Sequence, residues 1–285
     1  MALSKSEGAG SVRAVVRLPG AHLYIQVLGN LRTPRLAWSR HHHLVRPDRL
    51  GDIPNMFSKS HKEFVPLPLP DHVARPTEES AKLAKSFLAD MRKRHTVRDF
   101  SAEPIPQDII ETCIETAGLA PSGANHQPWF FAAVSNRKLK ARIREEAEKE
   151  EQAFYDGGGG DEWLSALEPI GTGPHKPHLE DAPWLIVVFA QRWGVFDDGS
   201  RFKNYYVPES VGISCGFLIS ALHQAGLSIL THTPNPMKFL NEALGRPKSE
   251  KPVMIMAVGH AAENATVPEV AKIKKPLNEI LKIYD

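Results

Sequence analysis

The sequence predicts a mixed α and β domain behind a short leader. Helical and strand-like apolar patterns interleave along residues 77–258, 42% of the 285 residues are hydrophobic against 24% charged, and no internal repeat stands out. The longest apolar runs, Trp184–Ala190 and Val253–Val258, are too short for a bilayer span, which needs roughly 18 consecutive apolar residues. Charge divides the chain: residues 1–50 hold 8 Lys/Arg and 2 Asp/Glu, leaving 27 against 31 for the remainder. In that first part Gly8, Gly10, Pro19, Gly20, Pro34 and the run His41–His43 interrupt any period, so residues 1–60 are expected to be a disordered leader. Basic, acid-poor composition fits an organelle transit peptide or a plain tail. The net charge of +2 leaves no general basic excess for a nucleic acid backbone, so no such partner is expected. Cys113 and Cys215 both fall at apolar helical positions and are expected to be buried free thiols in a reducing compartment. The cytoplasm is the expected location, with targeting by the leader as the alternative.

The elements follow in order. Thr77 opens a helix after Pro76, with Glu78 and Glu79 at the positive end of the dipole and Leu83, Phe87 and Met91 on one face. Pro106 opens a second, core-packed helix through Ile110, Cys113, Ile114 and Ala117, closed at Gly118. A turn at Pro121, Ser122 and Gly123 leads to a strand, Trp129–Val134, and then a charged helix runs from Asn136 to about Tyr155. Four consecutive glycines, Gly157–Gly160, lose much backbone entropy on ordering and predict a mobile loop. Pro169, Gly171, Gly173, Pro174 and Pro177 prolong the irregular stretch to Pro183, and a loop this long is expected to be a functional lid around residues 151–180. A strand over Trp184–Ala190 follows, then a helix carrying Val211, Cys215, Leu218 and Leu222 and ending at Gly226. Strands Leu227–Thr231 and Pro252–Val258 flank a short helix, Met237–Leu244. Sheet order does not follow from this pattern.

Arg92–Arg98 places four cations, His95 and the hydroxyl of Thr96 within seven residues at a helix end. Guanidinium forks suit a phosphate-bearing ligand, while a solvated basic C-terminus satisfied by the helix dipole is the plain alternative. Glu151 and Tyr155 are four apart and share one helical face at the start of the glycine-rich loop. Neither His41–His43 nor the pair His175 and His178 has the company of ligands that a metal site requires, so no metal is expected. There is no G-x-x-x-x-G-K-[ST] stretch and no G-x-S-x-G elbow to support nucleotide hydrolysis or serine-hydrolase chemistry.

The ordered set RHTVRDF (Arg94–Phe100), APSG (Ala120–Gly123) and Gln127–Trp129 resembles the opening of the nitroreductase flavoproteins. ESVGISCG (Glu209–Gly216), THTP (Thr231–Pro234), LGRP (Leu244–Pro247), ATVP (Ala265–Pro268) and KKPL (Lys274–Leu277) make it similar to the iodotyrosine deiodinase group of that family. The resemblance runs from about Phe64 to the C-terminus, so residues 61–285 are expected to form one FMN-binding domain. It implies an α+β nitroreductase-like fold, a mixed sheet flanked by helices, in an intertwined homodimer with FMN between the subunits. It implies reductive dehalogenation of halogenated tyrosines, with electrons ultimately from NADPH, directly or through a reductase. A broad nitroaromatic or quinone reductase of the same fold and a halotyrosine- or flavin-binding protein without turnover are the alternatives.

Residue by residue, the resemblance implies flavin contacts from Arg94, His95, Thr96, Val97 and Arg98, from Pro121, Ser122 and Gly123, and from Thr231, His232, Thr233 and Lys274. His95 and Lys274 stand where the family usually has Arg, and Lys274 keeps the charge but loses the fork. His232 replaces a family Thr. The hydroxyl of Thr233 is implied to hydrogen-bond flavin N5, the catalytic contact that favours one-electron transfer, although a cap on the Pro234 turn is the plain role of such a residue. Ala124 is implied to offer its backbone N–H to the substrate phenolate, while Glu151, Tyr155 and Lys176 hold the ammonium and carboxylate of the amino acid. Trp163 is expected to be either an apolar wall of the lid or a buried anchor.

Overall fold

The computed structural model describes residues 64, 66–69 and 73–285, together with the backbones of two further strands. The chain separates into two units, residues 1–53 and 54–285. In the first, where a leader is expected, β1 (Ser11–Leu18) pairs antiparallel with β2 (Ala21–Leu28). Val12, Val15, Val16, Ile25 and Val27 supply β-branched residues around the Pro19–Gly20 turn signal, which is local chemistry enough for two strands without strict alternation. The rest of the expected leader, including His41–His43, lies outside the described residues.

The second unit opens with α1 (Thr77–Met91) and α2 (Gln107–Gly118), each entered from a proline that already holds an extended backbone. Next come β3 (Trp129–Val134) and the charged α3 (Arg137–Ala153), whose N-terminus is capped by Asn136 accepting from the Leu139 N–H at 3.0 Å. The stretch expected to be irregular folds further: a π-turn over Phe154–Gly158, α4 (Asp161–Leu167), a 3-10 turn and α5 (His178–Asp181). The glycines supply the turns rather than a long open loop, Gly157 and Gly160 both taking positive φ. β4 (Trp184–Gln191), the small hairpin of β5 (Trp193–Val195) and β6 (Arg201–Lys203), α6 (Val207–Gln224), β7 (Ser228–His232), α7 (Phe239–Ala243), β8 (Glu250–Gly259) and α8 (Leu277–Ile280) complete the unit.

β3, β4, β8 and β7 form one sheet in that order, each pair antiparallel. The sheet is therefore antiparallel throughout rather than mixed as expected; beyond it, Thr96 makes an isolated parallel bridge to Ile229 at the β7 edge and Phe100 an antiparallel one to Ala261. β4 is buried on both faces, and its alternation divides two cores. Ile186 and Val188 face Ile110, Cys215, Leu218 and Leu222 of α2 and α6, whereas Leu185, Val187 and Phe189 face Ile143, Leu179 and Leu240 on the α3, α5 and α7 side. The result is a sheet between two helical layers. A register shift at Val188/Phe189 sits opposite Pro252, which cannot donate to the ladder.

One helix departs from expectation. α1 buries no residue, and Leu83, Phe87 and Leu88 of its apolar face are about half exposed. On α6, Ile213 and Phe217 are also exposed, and a Cβ at Gly212 or Gly216 would meet nothing within 4 Å. Amphipathic periodicity marks a surface to be covered without saying by what. Among the described residues no helix is long and apolar enough to cross a membrane.

Candidate active site

A groove of about 780 Å³ between α1, α2 and α6 is lined mainly by apolar or uncharged side chains such as Phe87, Ile109, Cys113 and Phe217. Ionisable groups converge instead on a smaller cavity of about 450 Å³, where Glu150 and Glu151 from the end of α3 and Tyr155 from the turn after it meet Lys176, His178 and Arg98. The end of β7 and the turn after it supply Thr231, His232 and Thr233. Such a convergence of charges in a concave, water-restricting site is the physical signature of a binding centre.

Glu151 and Lys176 pair directly, Oε2 to Nζ at 2.9 Å, with side chains 14% and 4% exposed. The ammonium also donates to the Thr172 hydroxyl at 3.1 Å and lies 5.8 Å from the centre of the Tyr155 ring. The Tyr155 hydroxyl donates to the Thr172 carbonyl at 3.0 Å, and the Lys176 backbone N–H to Glu148 at 2.7 Å. Glu151, Tyr155 and Lys176 are therefore tied into one cluster, with Thr172 between them. Trp163 is not a buried anchor: it lines the cavity, 59% exposed, edge-on to Phe154.

Arg98 reaches the same cavity from the strand-like segment beside β7. Burial is the largest influence on it and lowers its pKa, while Asp99 and then the Tyr155 phenol favour the charge. Arg94, His95 and Val97 line a neighbouring recess of about 280 Å³ together with Thr266 and Val267. The Val97 N–H donates to the Ile229 carbonyl at 3.2 Å, fixing this basic segment against the sheet. Among the described residues neither Arg94 nor Arg98 forms a salt bridge with a carboxylate, which leaves two half-buried guanidiniums without a fork-matched anion of the chain's own.

Thr231 and Thr233 point outward whereas His232 between them is buried, as alternation along a strand requires. His232 turns toward Glu151 and His178, with the two imidazoles edge-on at 5.8 Å. Burial, reinforced by Lys176 and Arg98, pushes His178 down to about 4; burial, then Lys176, His178 and Arg98, pushes His232 down to about 3. Both are neutral near pH 7. Glu150 moves the other way, its carboxyl raised chiefly by burial although it accepts from the Met237 N–H at 3.0 Å.

Pro121, Ser122, Gly123 and Ala124 lie elsewhere, on the turn between α2 and β3, and line neither cavity. Gln127 donates its N–H to the Ser122 hydroxyl at 2.9 Å, and Gly123 donates to Ser210 of α6 at 3.2 Å. Ala124 takes φ of 50°, a left-handed conformation that non-glycine residues seldom hold outside functional turns. Gly123 is required by close approach, since a Cβ there would lie 2.7 Å from the Tyr205 carbonyl oxygen. Gly123→Ala is expected to cost about 1–3 kcal/mol of stability in urea unfolding. Lys274 is exposed, its ammonium donating to the carbonyls of Ala271 and Ile273, and within one chain it does not join the other basic residues.

Thr172 and His178 escaped sequence reasoning. His178 drew attention only as half of a His-x-x-His pair, and its place two residues beyond Lys176 was the available signal.

The nitroreductase family model matches residues 91–260, most of the sheet and its helices. The chain belongs to the nitroreductase family. Within that family it is 51% identical over 198 residues to an iodotyrosine deiodinase of Haliscomenobacter hydrossis, covering 70% of this chain and 89% of the relative. It is 41% identical over 219 residues to one of Hydra vulgaris, covering 76% and 80%. A crystal structure of oxidised iodotyrosine deiodinase bound to FMN and 3-iodo-L-tyrosine matches 70% of this chain and 98% of its own, with 31% identity and a TM-score of 0.57.

Proposed function

We propose that this nitroreductase-family chain is an FMN-dependent enzyme that reductively removes halogen from halogenated tyrosines. The observation that carries the reading is the buried Glu151–Lys176 pair beside Tyr155 in the lid. A free amino acid presents an ammonium and a carboxylate, and a simple nitroarene or quinone presents neither. On entry of the zwitterion, Glu151 takes the ammonium, Lys176 the carboxylate, and the Tyr155 hydroxyl a further hydrogen bond. Exchanging one desolvated ion pair for two keeps both side chains satisfied.

FMN suits the donor set. Arg94 and Arg98 bring two cations and Thr96 a hydroxyl to a phosphate, and Thr233 lies at a strand end on the exposed side of β7, where it would face the ring and donate to N5. When bound and reduced, the flavin supplies the electrons for replacing carbon–halogen by carbon–hydrogen. The chain's own residues hold the substrate's amino-acid end, close the lid against water and offer the Ala124 N–H to the phenolate. Reduced nicotinamide, directly or through a reductase, is the proposed source of electrons.

The site is proposed to complete itself in a homodimer. The turn carrying Ser122 and Ala124 lies off the Arg98 cavity, and the apolar faces of α1 and α6 are uncovered in one chain. A second copy that covered those faces could bring its own turn to the flavin. A reducing, cytoplasmic setting is proposed because Cys113 and Cys215 are free and buried.

Flavin released by denaturing the purified protein is expected to be FMN at one per chain, and sedimentation is expected to show a dimer. FAD, or a monomer that keeps FMN, would contradict this arrangement. Turnover of iodotyrosine is expected to exceed that of a nitroarene in specificity constant, and the reverse order would favour a broad nitroreductase.

A further inference from the structure

We infer that His232 is a positioning residue for the amino-acid clamp: its imidazole takes hold of Glu151 when Lys176 turns to the substrate carboxylate, aiming Glu151 at the ammonium. The inference rests on the clamp reading above and adds to it a residue that touches neither charge of the substrate.

The geometry is already poised for the exchange. Glu151 gives Oε2 to Lys176 at 2.9 Å, and its other oxygen, Oε1, lies 3.7 Å from His232 Nε2, just beyond hydrogen-bond reach. That nitrogen is buried in a side chain only 8% exposed and has no hydrogen-bond partner among the described residues. A buried polar atom left so is uncommon and calls for a partner. Glu151 becomes that partner by a movement of about 0.5–1 Å once Lys176 releases it. His178 packs edge-on at 5.8 Å and backs the ring.

The protonation state suits the task. Burial first, and then Lys176, His178 and Arg98 around it, keep His232 neutral, so it can donate one N–H to Glu151 without adding a cation that would compete with the incoming ammonium. A carboxylate held at one oxygen by a neutral donor keeps the charge and the second oxygen for the ligand.

The test uses oxidised FMN holoenzyme, reading dissociation constants for iodotyrosine and for 2-iodophenol from flavin fluorescence. His232→Leu is expected to weaken iodotyrosine about tenfold, in line with a hydrogen bond to a charged group, with 2-iodophenol nearly unchanged. His232→Gln, which keeps a donor, is expected to recover most of the loss, and His232→Leu is expected to add little in a Glu151→Gln background. Should the leucine variant fail to hold FMN, His232→Met against His232→Gln gives the same comparison. Equal losses for both ligands, or no recovery with glutamine, would overturn the role of His232. If Glu151→Gln alone leaves the preference for iodotyrosine over iodophenol intact, the clamp itself fails and the inference with it.

Discussion

Lys176→Ala and Glu151→Gln are each expected to weaken iodotyrosine binding by roughly 2–5 kcal/mol, the loss seen when one partner of a desolvated, hydrogen-bonded charge pair is removed. At the lower bound this is about thirtyfold in dissociation constant. The estimate applies because Lys176 is 4% and Glu151 14% exposed, so solvent cannot screen the survivor as it would at a surface. FMN content and reduction of a simple quinone should persist, since neither side chain belongs to the basic segment beside β7. Fluorescence titration of the two variants with iodotyrosine and 2-iodophenol checks this. Equal affinity for the two ligands in the unaltered protein would show that the amino acid is not gripped.

Acid is expected to destabilise the fold through two buried imidazoles. His178 and His232 titrate in the fold at about 4 and about 3, both below the usual 6.5 for the reasons of burial and neighbouring cations. Their folded values are depressed, so the unfolded chain binds protons that the folded chain refuses. The stability they contribute is full above pH 6.5 and is lost as pH falls toward 4 for His178 and toward 3 for His232. Between pH 7 and 4.5 the loss is roughly 2–3 kcal/mol for each imidazole. Urea midpoints across that range measure it, and His232→Gln should flatten the profile by one group's share. Identical profiles for the variant and the unaltered protein would contradict the placement of a neutral, buried His232.

The layers of the fold were legible where the apolar period was strong. Ile110, Cys113 and Ala117 of α2 and Val211, Cys215, Leu218 and Leu222 of α6 are all buried as their spacing requires, and the unbroken run of β4 is buried on both faces. Where the period was equally clear but no described element packs over the face, burial did not follow: Leu83 and Phe87 of α1 remain exposed. The glycines and prolines marked the stretch over residues 151–180, yet α4 within it went unread, because eight residues between Gly160 and Pro169 give barely two turns of pattern. Glu151, Tyr155 and Lys176 meet in one cavity, but that Thr172 holds two of them together depends on a loop path that no local signal encodes. The neutral pairing of His178 with His232 joins residues 54 apart in sequence, a proximity that only the return of β7 beside α5 creates.

The central claim is that the lid cavity holds a halotyrosine for electron transfer from FMN. Anaerobic mixing of the fully reduced FMN protein with iodotyrosine, in the absence of any other reductant, tests it most directly. One equivalent each of tyrosine and iodide per flavin, with the flavin returned to its oxidised spectrum, is the predicted result. A flavin that stays reduced and a solution without iodide, while iodotyrosine is bound, would contradict the account and leave a binding protein.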